Sequence, residues 1–495
     1  MTQRTTEFDL LICGGSVIDG SGAARRDADL GIRGGRVTAV GELAGRSATQ
    51  VIDATGRIVA PGFIDAHTHD DQAVLSRPDM SFKVSQGVTT VVTGNCGISI
   101  APLHPHGPLP QPLDLLDAAA DARFGSFAAY FAQLERTPSS VNVAALVGHS
   151  TLRVMAMRSL DREAQADEIA AMQALVGEAL AAGAIGMSTG TFYPPAVKAS
   201  TEEIIAVGRD LSSSGGVYAT HMRDESDAVM AALDESFRIG RELGVPVVIS
   251  HHKLSGAANF GRSTVTLPHI RAAMRCQCVA LDCYPYTAGS TMIRTDRGML
   301  DGRVLIASSQ PHPECAGRDL DDIAAGWGVS KEEAARRLQP GSAIYFLMDE
   351  ADVQRILAFE HTMIGSDGIP VGDKPHPRLW GTFPRVLGHY SRDLGLFPLE
   401  TAVWKMSGLT ARNFGLHDRG LLAPGQAADV VVFDAATVRD TASYEAPTLP
   451  AEGIEVVIVN GIVTWRDGMH SGARGGRVLR RVAPGADHGV QVADA

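Results

Sequence analysis

Five short stretches of this 495-residue chain end in side chains that bind metals or carry protons. His67 and His69, in "DAHTHDD", stand two apart where the apolar run "GFIDAH" ends. Side chains alternate along a strand, so both imidazoles point to one side and can converge on one ion. An isolated H-x-H is as readily a pair of polar residues leaving a strand. Its weight comes from the other runs read in order: Cys96 follows "TTVVTG", His221 closes "GVYATH", His251 closes "PVVISH" and Asp367 closes "TMIGSD". Imidazole nitrogen with thiolate suits Zn(II), whereas a Ca or Mg site calls for several oxygen ligands. Alone, Cys96 would be a core thiol. In this company it becomes a candidate anionic ligand, with glycines on either side free to turn the backbone.

The elements that must position these residues are short apolar runs alternating with helical periodicity. "GFIDAH", "TTVVTG", "NVAALVG", "AIGMSTG", "GVYATH", "PVVISH", "VALDCY" and "TMIGSD" read as eight strands. Between them, residues 161 to 182 place Ile169, Met172, Val176 and Leu180 on one helical stripe, and Ser200 with Glu203 carries the S-x-x-E capping signature. Parallel strands need helical crossovers and a closed ring leaves no edge, so an α/β fold of the (β/α)8 TIM-barrel type is expected over 63–416, ahead of a doubly wound sheet. Such barrels gather their sites at the C-terminal ends of the strands. The unit exceeds the roughly 250 residues typical of the fold, and 288–347 reads as an insertion covering the mouth. The glycine-punctuated β-rich texture of 1–62 returns in 417–495, so the two ends are expected to pair into a small β-sandwich domain.

Composition narrows the partners. Forty-four Lys plus Arg against 56 Asp plus Glu give a formal charge of −12, which argues against nucleic acid or an anionic membrane. No apolar run reaches the ~18 residues of a membrane span, and the run near the N-terminus is too brief for a secretory core. A cytoplasmic location and a small-molecule substrate are expected. The six cysteines include no C-x-x-C pair and do not read as a disulfide scaffold.

Other titratable residues take blander readings. His149 in "LVGHS" reads as a hydrogen-bonded structural histidine, and His252 should point away from His251. His104, His106, His312, His376 and His389 read as surface histidines, and Asp70 and Asp71 as solvated loop acids. "GMSTG" matches G-x-S-x-G with Ser188 as nucleophile, but Tyr193, Pro194 and Pro195 follow at once and disfavour the helix that motif needs. A purely structural zinc site would be closed by four ligands close in sequence, which is not the pattern here.

"VIDATGRIVAPGFIDAHTHDD", His221, His251, Asp367 and "LLAPGQAADVVVFD" resemble the amidohydrolase superfamily. "GVTTVVTGNCGISIAP", "GTFYPP", "THMRDE", "SHHK" and "GSDG" are similar to its N-acyl-D-amino-acid deacylase branch, and the match runs over nearly the whole chain. The resemblance implies a barrel with a β-sandwich from both chain ends, and one zinc held tightly by Cys96, His221 and His251. It implies a second, weaker metal position at His67, His69 and Asp367, with Cys96 placed to bridge. It also implies hydrolysis of N-acyl-D-amino acids, the D hand coming from the resemblance alone, with Lys253, Tyr284 and Arg378 in the substrate pocket. Many superfamily relatives carry a carboxylated lysine at the end of strand 4. "AIGMSTG" has none, which favours the deacylase reading over a dihydropyrimidinase-like one.

For an amide substrate Asp367 is expected as general base and then general acid, a pure ligand or helix cap being the alternative. Lys253 and Arg378 supply cations for a substrate carboxylate, with Tyr284 and Tyr193 as hydroxyl donors. Arg294, beside the expected pocket, would be costly to keep dry without an anion. Its expected partner is an acidic side chain, as in N-acyl-D-glutamate or D-aspartate; the alternative is an exposed loop arginine and a pocket for D-Met or D-Leu derivatives.

Overall fold

The eight runs form a ring. In this computed structural model, which describes residues 6–103, 109–116, 123–372 and 374–481, the strands are β1 (Phe63–Asp65), β2 (Val88–Thr93), β3 (Asn142–Gly148), β4 (Gly186–Gly190), β5 (Val217–His221), β6 (Val247–Ile249), β7 (Val279–Cys283) and β8 (Thr362–Ile364). Each pairs in parallel with the next. The ring closes between β8 and β1, where Ala66 N donates to Ile364 O at 3.2 Å and Asp367 N to His67 O at 2.8 Å. The fold is therefore a (β/α)8 barrel.

Strand alternation divides the apolar residues between two cores. In β3, Ala144 and Leu146 join Ile64, Val92, Val248 and Met363 inside the barrel, while Val143, Ala145 and Val147 face the helices. The helix Ala166–Ala182 buries Met172 and Val176, with Ile169 and Leu180 partly covered beside them. Ser200 caps the next helix by accepting from Glu203 N. The Glu203 side chain departs from the capping box: it pairs with Arg153 and accepts from Ala164 N at 2.9 Å. No helix among the described residues is long and apolar enough to cross a membrane.

Both chain ends enter one nine-stranded sheet, joined where Ile58–Pro61 pairs antiparallel with Val430–Phe433. Leu10, Ile32, Val59, Val430 and Ile458 share its apolar core. Between β7 and β8, Gly289–Met292, Val304–Ser309 and Gly341–Tyr345 form a separate antiparallel sheet with its own apolar cluster. A buried polar knot ties the terminal sheet to the foot of the barrel. Asp429 accepts from Asn142 Nδ2 at 3.0 Å and Asn460 N at 2.7 Å, and pairs with Arg419 at 2.5 Å.

Asp429→Ala removes the nearer of the two carboxylates on the buried Arg419 guanidinium, leaving it only Asp418 at 3.2 Å, and takes an acceptor from both asparagines. A loss of about 3–5 kcal/mol is expected, read as a lower thermal midpoint at unchanged metal content. An unchanged midpoint would show that the knot adds nothing to stability.

Candidate metal centre

Backbone geometry at the strand ends aims the ligands. Cys96, His251 and Asp367 have φ of 55°, 34° and 49°, left-handed values that cost about 1–3 kcal/mol each and cluster at functional sites. Gly94 lets the Cys96 loop pass, since a Cβ there would fall 1.9 Å from Leu146 O. Ser188 braces the same loop, accepting from Gly97 N at 2.9 Å and donating to Gly94 O. The serine of "GMSTG" is thus fully buried in a structural bond, not exposed on a nucleophile elbow.

Cys96 Sγ lies 3.2 Å from His67 Nε2, 3.6 Å from His221 Nδ1 and 3.3 Å from His251 Nε2. Asp367 Oδ1 lies 3.2 Å from His69 Nε2 and 3.5 Å from His67 Nε2. Two ligand groups result, Cys96 with His221 and His251, and Cys96 with His67, His69 and Asp367, the donor atoms of each within 4.8 Å of one another. Burial pushes the Cys96 thiol up, but His67 and His251 outweigh it and hold it well below the ordinary thiol range. Likewise burial raises Asp367, and the Arg378 guanidinium at 3.0 Å overrides it, so the carboxylate stays ionised. Thiolate, imidazole and carboxylate donors converging in a buried pocket fit zinc.

Several supporting residues escaped sequence reasoning. Glu225 lies 3.0 Å from His251 Nδ1 and 3.6 Å from His221 Nε2, and both its oxygens accept from Lys253 Nζ, at 2.7 and 2.8 Å. Its position four residues beyond His221 was the available signal. Asp282 accepts from His251 N at 2.9 Å and sits 3.5 Å from His67 Nδ1. Lys83, fully buried, bridges Asp65 at 2.7 Å, Asp70 at 3.3 Å and Ser366 Oγ at 2.9 Å.

Three expectations need correction. Asp70 and Asp71 are buried, not solvated; burial raises both to about 6, and Asp71 accepts from Gly94 N at 3.3 Å. Their place between His69 and the Cys96 loop encloses them. His376 is buried too, bonded to Ala288 O and Arg378 N. His149 lies 3.1 Å from Glu203 and His252 bonds Thr266 at 2.9 Å, both away from the centre. His312 and His389 are half-buried, and His104 and His106 lie outside the described residues.

A cavity of about 560 Å³ opens onto His221, His251 and Asp367. Tyr193, Lys253 and Tyr284 line it, as do Phe192, Met299, Leu347 and Met348, and the segment between β7 and β8 forms part of its wall. Arg378 is buried beneath, 4.5 Å from the centre of the Tyr284 ring. Among the described residues its Nε and Nη1 have no hydrogen-bond partner. Arg294 is not among the lining residues: it pairs with Asp296 at 2.7 Å and lies 4.5 Å over Phe192.

The profile of the amidohydrolase family matches residues 50–269 and 301–464. The chain belongs to the amidohydrolase family. This amidohydrolase is 61% identical over 484 residues to a D-aminoacylase of Alcaligenes xylosoxydans xylosoxydans, covering 98% of this chain and 100% of the relative. From the same organism, an N-acyl-D-aspartate deacylase is 52% identical (98% of each chain) and an N-acyl-D-glutamate deacylase 49% (96% and 97%). A solved D-aminoacylase, described by a binuclear metal centre with one-metal activation and second-metal attenuation, superposes with a TM-score of 0.94 at 62% identity, over 96% of this chain and 100% of that one. An N-acyl-D-glutamate deacylase from Bordetella bronchiseptica, complexed with zinc and a phosphonate mimic of the tetrahedral intermediate, gives 0.93 at 47% identity, over 96% and 99%.

Outer partners of metal-binding histidines typically contribute 10–100-fold to metal affinity. Glu225→Gln is therefore expected to weaken zinc binding by about that factor, measured by competition with a chelator. Wild-type affinity in the variant would remove Glu225 from the centre.

Proposed function

We propose that this amidohydrolase uses zinc to hydrolyse N-acyl-D-amino acids to a carboxylate and a free D-amino acid, with an apolar side chain preferred over an acidic one. The observation that carries the reading is the meeting of two ligand groups at Cys96, one with His221 and His251 and one with His67, His69 and Asp367, beside a cavity that His221, His251 and Asp367 line. The relatives named for D-amino acid substrates supply the hand. One zinc is assigned to Cys96, His221 and His251, and a second, weaker position to His67, His69 and Asp367. Six free cysteines fit a reducing compartment, and we assign the activity to the cytoplasm with a small molecule as its partner.

Zinc at such a site lowers the pKa of water towards ~7 and polarises a carbonyl. Asp367, ionised and facing the cavity, is placed to take a proton from the attacking water and to return it to the leaving nitrogen. The substrate carboxylate would complete the unpartnered N–H groups of Arg378, with the Tyr284 hydroxyl beside it. Lys253 is already neutralised by Glu225 and serves more as a fixed local charge than as a free clamp. Tyr193, in van der Waals range of His221 through its ring (centroids 4.8 Å apart), closes the cavity over the ligands.

The side-chain assignment follows from charge. Asp224, Asp227, Asp296 and Asp301 also line the cavity, and a second carboxylate brought in with the substrate would face them with Arg294 already paired. Preference for D-glutamate or D-aspartate is the second reading, favoured by the closeness of Arg294 to Phe192; it requires Arg294 to leave Asp296.

Purified enzyme should turn over N-acetyl-D-Met and N-acetyl-D-Leu faster, by kcat/KM, than N-acetyl-D-Glu, and Arg294→Ala should keep that order. A wild-type preference for N-acetyl-D-Glu that collapses in the variant would select the acidic reading. Chelation should abolish activity and zinc restore it, Asp367→Asn should cost about 10²–10⁴-fold in kcat, and Ser188→Ala should remain active. Activity that survives chelation, or a preference for L substrates, would defeat the proposal.

A further inference from the structure

His376 lies outside both ligand groups, buried where three parts of the fold meet. Its Nδ1 accepts from Arg378 N at 2.9 Å, and its Nε2 donates to Ala288 O at 2.9 Å. Tyr444, from the segment that leads into the terminal sheet, reaches within 3.5 Å of Nε2, and Tyr286 packs edge-on with ring centroids 5.1 Å apart. One ring nitrogen must accept while the other donates, so only the neutral Nε2–H tautomer satisfies both bonds. Burial, reinforced by the nearby Arg378 charge, holds this imidazole well below its ordinary range.

Both bonds bear on Arg378. The first fixes its backbone at the start of the helix Arg378–Arg385, where an amide would otherwise be an orphan. The second fixes Ala288, next to the strand Gly289–Met292, whose Ser290 carbonyl accepts from Arg378 Nη2 at 3.1 Å. The guanidinium is thus held at its root and at its tip by chain segments that meet at one imidazole, while its Nε and Nη1 stay unpartnered among the described residues. We propose that His376 is a positioning residue, which registers the Arg378 backbone against the Ala288 edge and so sets the guanidinium where a substrate carboxylate binds. This rests on the reading of the cavity as a site for N-acyl-D-amino acids.

His376→Leu keeps the bulk and removes both bonds; His376→Asn returns an acceptor near the Nδ1 position. The leucine variant should raise KM for N-acetyl-D-Met by about tenfold or more, as expected for lost buried hydrogen bonds, with kcat changed less and zinc content unchanged. Calorimetric affinity for D-methionine should fall in parallel, and His376→Asn should recover part of both. An unchanged KM and D-methionine affinity, or an equal loss in both variants through kcat or zinc, overturns the inference. Wild-type failure on every N-acyl-D-amino acid instead marks failure of the functional reading. In 15N-histidine-labelled enzyme, the resonances lost in His376→Leu should show a bare Nδ1 and a protonated Nε2 about one pH unit below the ordinary imidazole value. An imidazolium signature there overturns the inference as well.

Discussion

Placing a thiolate in the middle of four histidines and a carboxylate is the constraint from which most of this barrel's upper face follows. Cys96 Sγ sits within 3.6 Å of three imidazole nitrogens from β1, β5 and β6. The Cys96 loop must turn in the left-handed region, pass over Leu146 where only glycine fits, and be braced from below by Ser188. Opposite it, His251 and Asp367 adopt left-handed backbone as well, so three ligands from three strands are strained towards a common centre. Such strain persists only where surrounding structure over-determines it.

That structure is largely a set of buried or half-buried cations, each paired with one or two carboxylates. Lys83 holds Asp65 and Asp70 beneath the β1 ligands, Lys253 holds Glu225 beneath those of β5 and β6, and Arg378 holds Asp367 at β8. Each pair is costly to bury and costlier to break. The pairs are weak evidence for stability and better evidence for registry, because every one of them joins a ligand-bearing strand end to a neighbouring element. Glu225 also reaches two of the imidazoles on the side away from Cys96, 3.0 Å from His251 Nδ1 and 3.6 Å from His221 Nε2.

The barrel was legible because its signals are local. Each of the eight runs is a short apolar segment bounded by turn residues, and each ligand is offset from its strand by a few positions, so reading the chain in order recovers both. The grouping of Cys96 with His221 and His251 came from the family resemblance, not from the order of the strands. What escaped was the partner of each charge. Asp70 and Asp71 look like loop residues because they follow the strand-end H-x-H, and His376 because it lies in "GDKPHPRLWG"; their burial comes from other elements, Lys83 and the Cys96 loop for the aspartates and the 289–345 sheet for His376. Arg294 illustrates the same limit: its place shortly after β7 was read from sequence, whereas its 2.7 Å pairing with Asp296, two residues on, was not.

The absence of lysine from β4 now has a steric reason. Gly190, the last residue of β4, faces the carbonyl of Cys96, and a Cβ there would lie 2.1 Å from that oxygen. The Cys96 loop therefore occupies the space that a longer side chain at the end of β4 would need. At Gly190 the β2 loop that brings the thiolate inward leaves no space for a side chain, and β4 contributes the Ser188 hydroxyl as a brace to that loop. Substituting a lysine at Gly190 without rebuilding the β2 loop would add a steric clash rather than a ligand. The cysteine is thus part of the barrel's packing as well as of its metal chemistry.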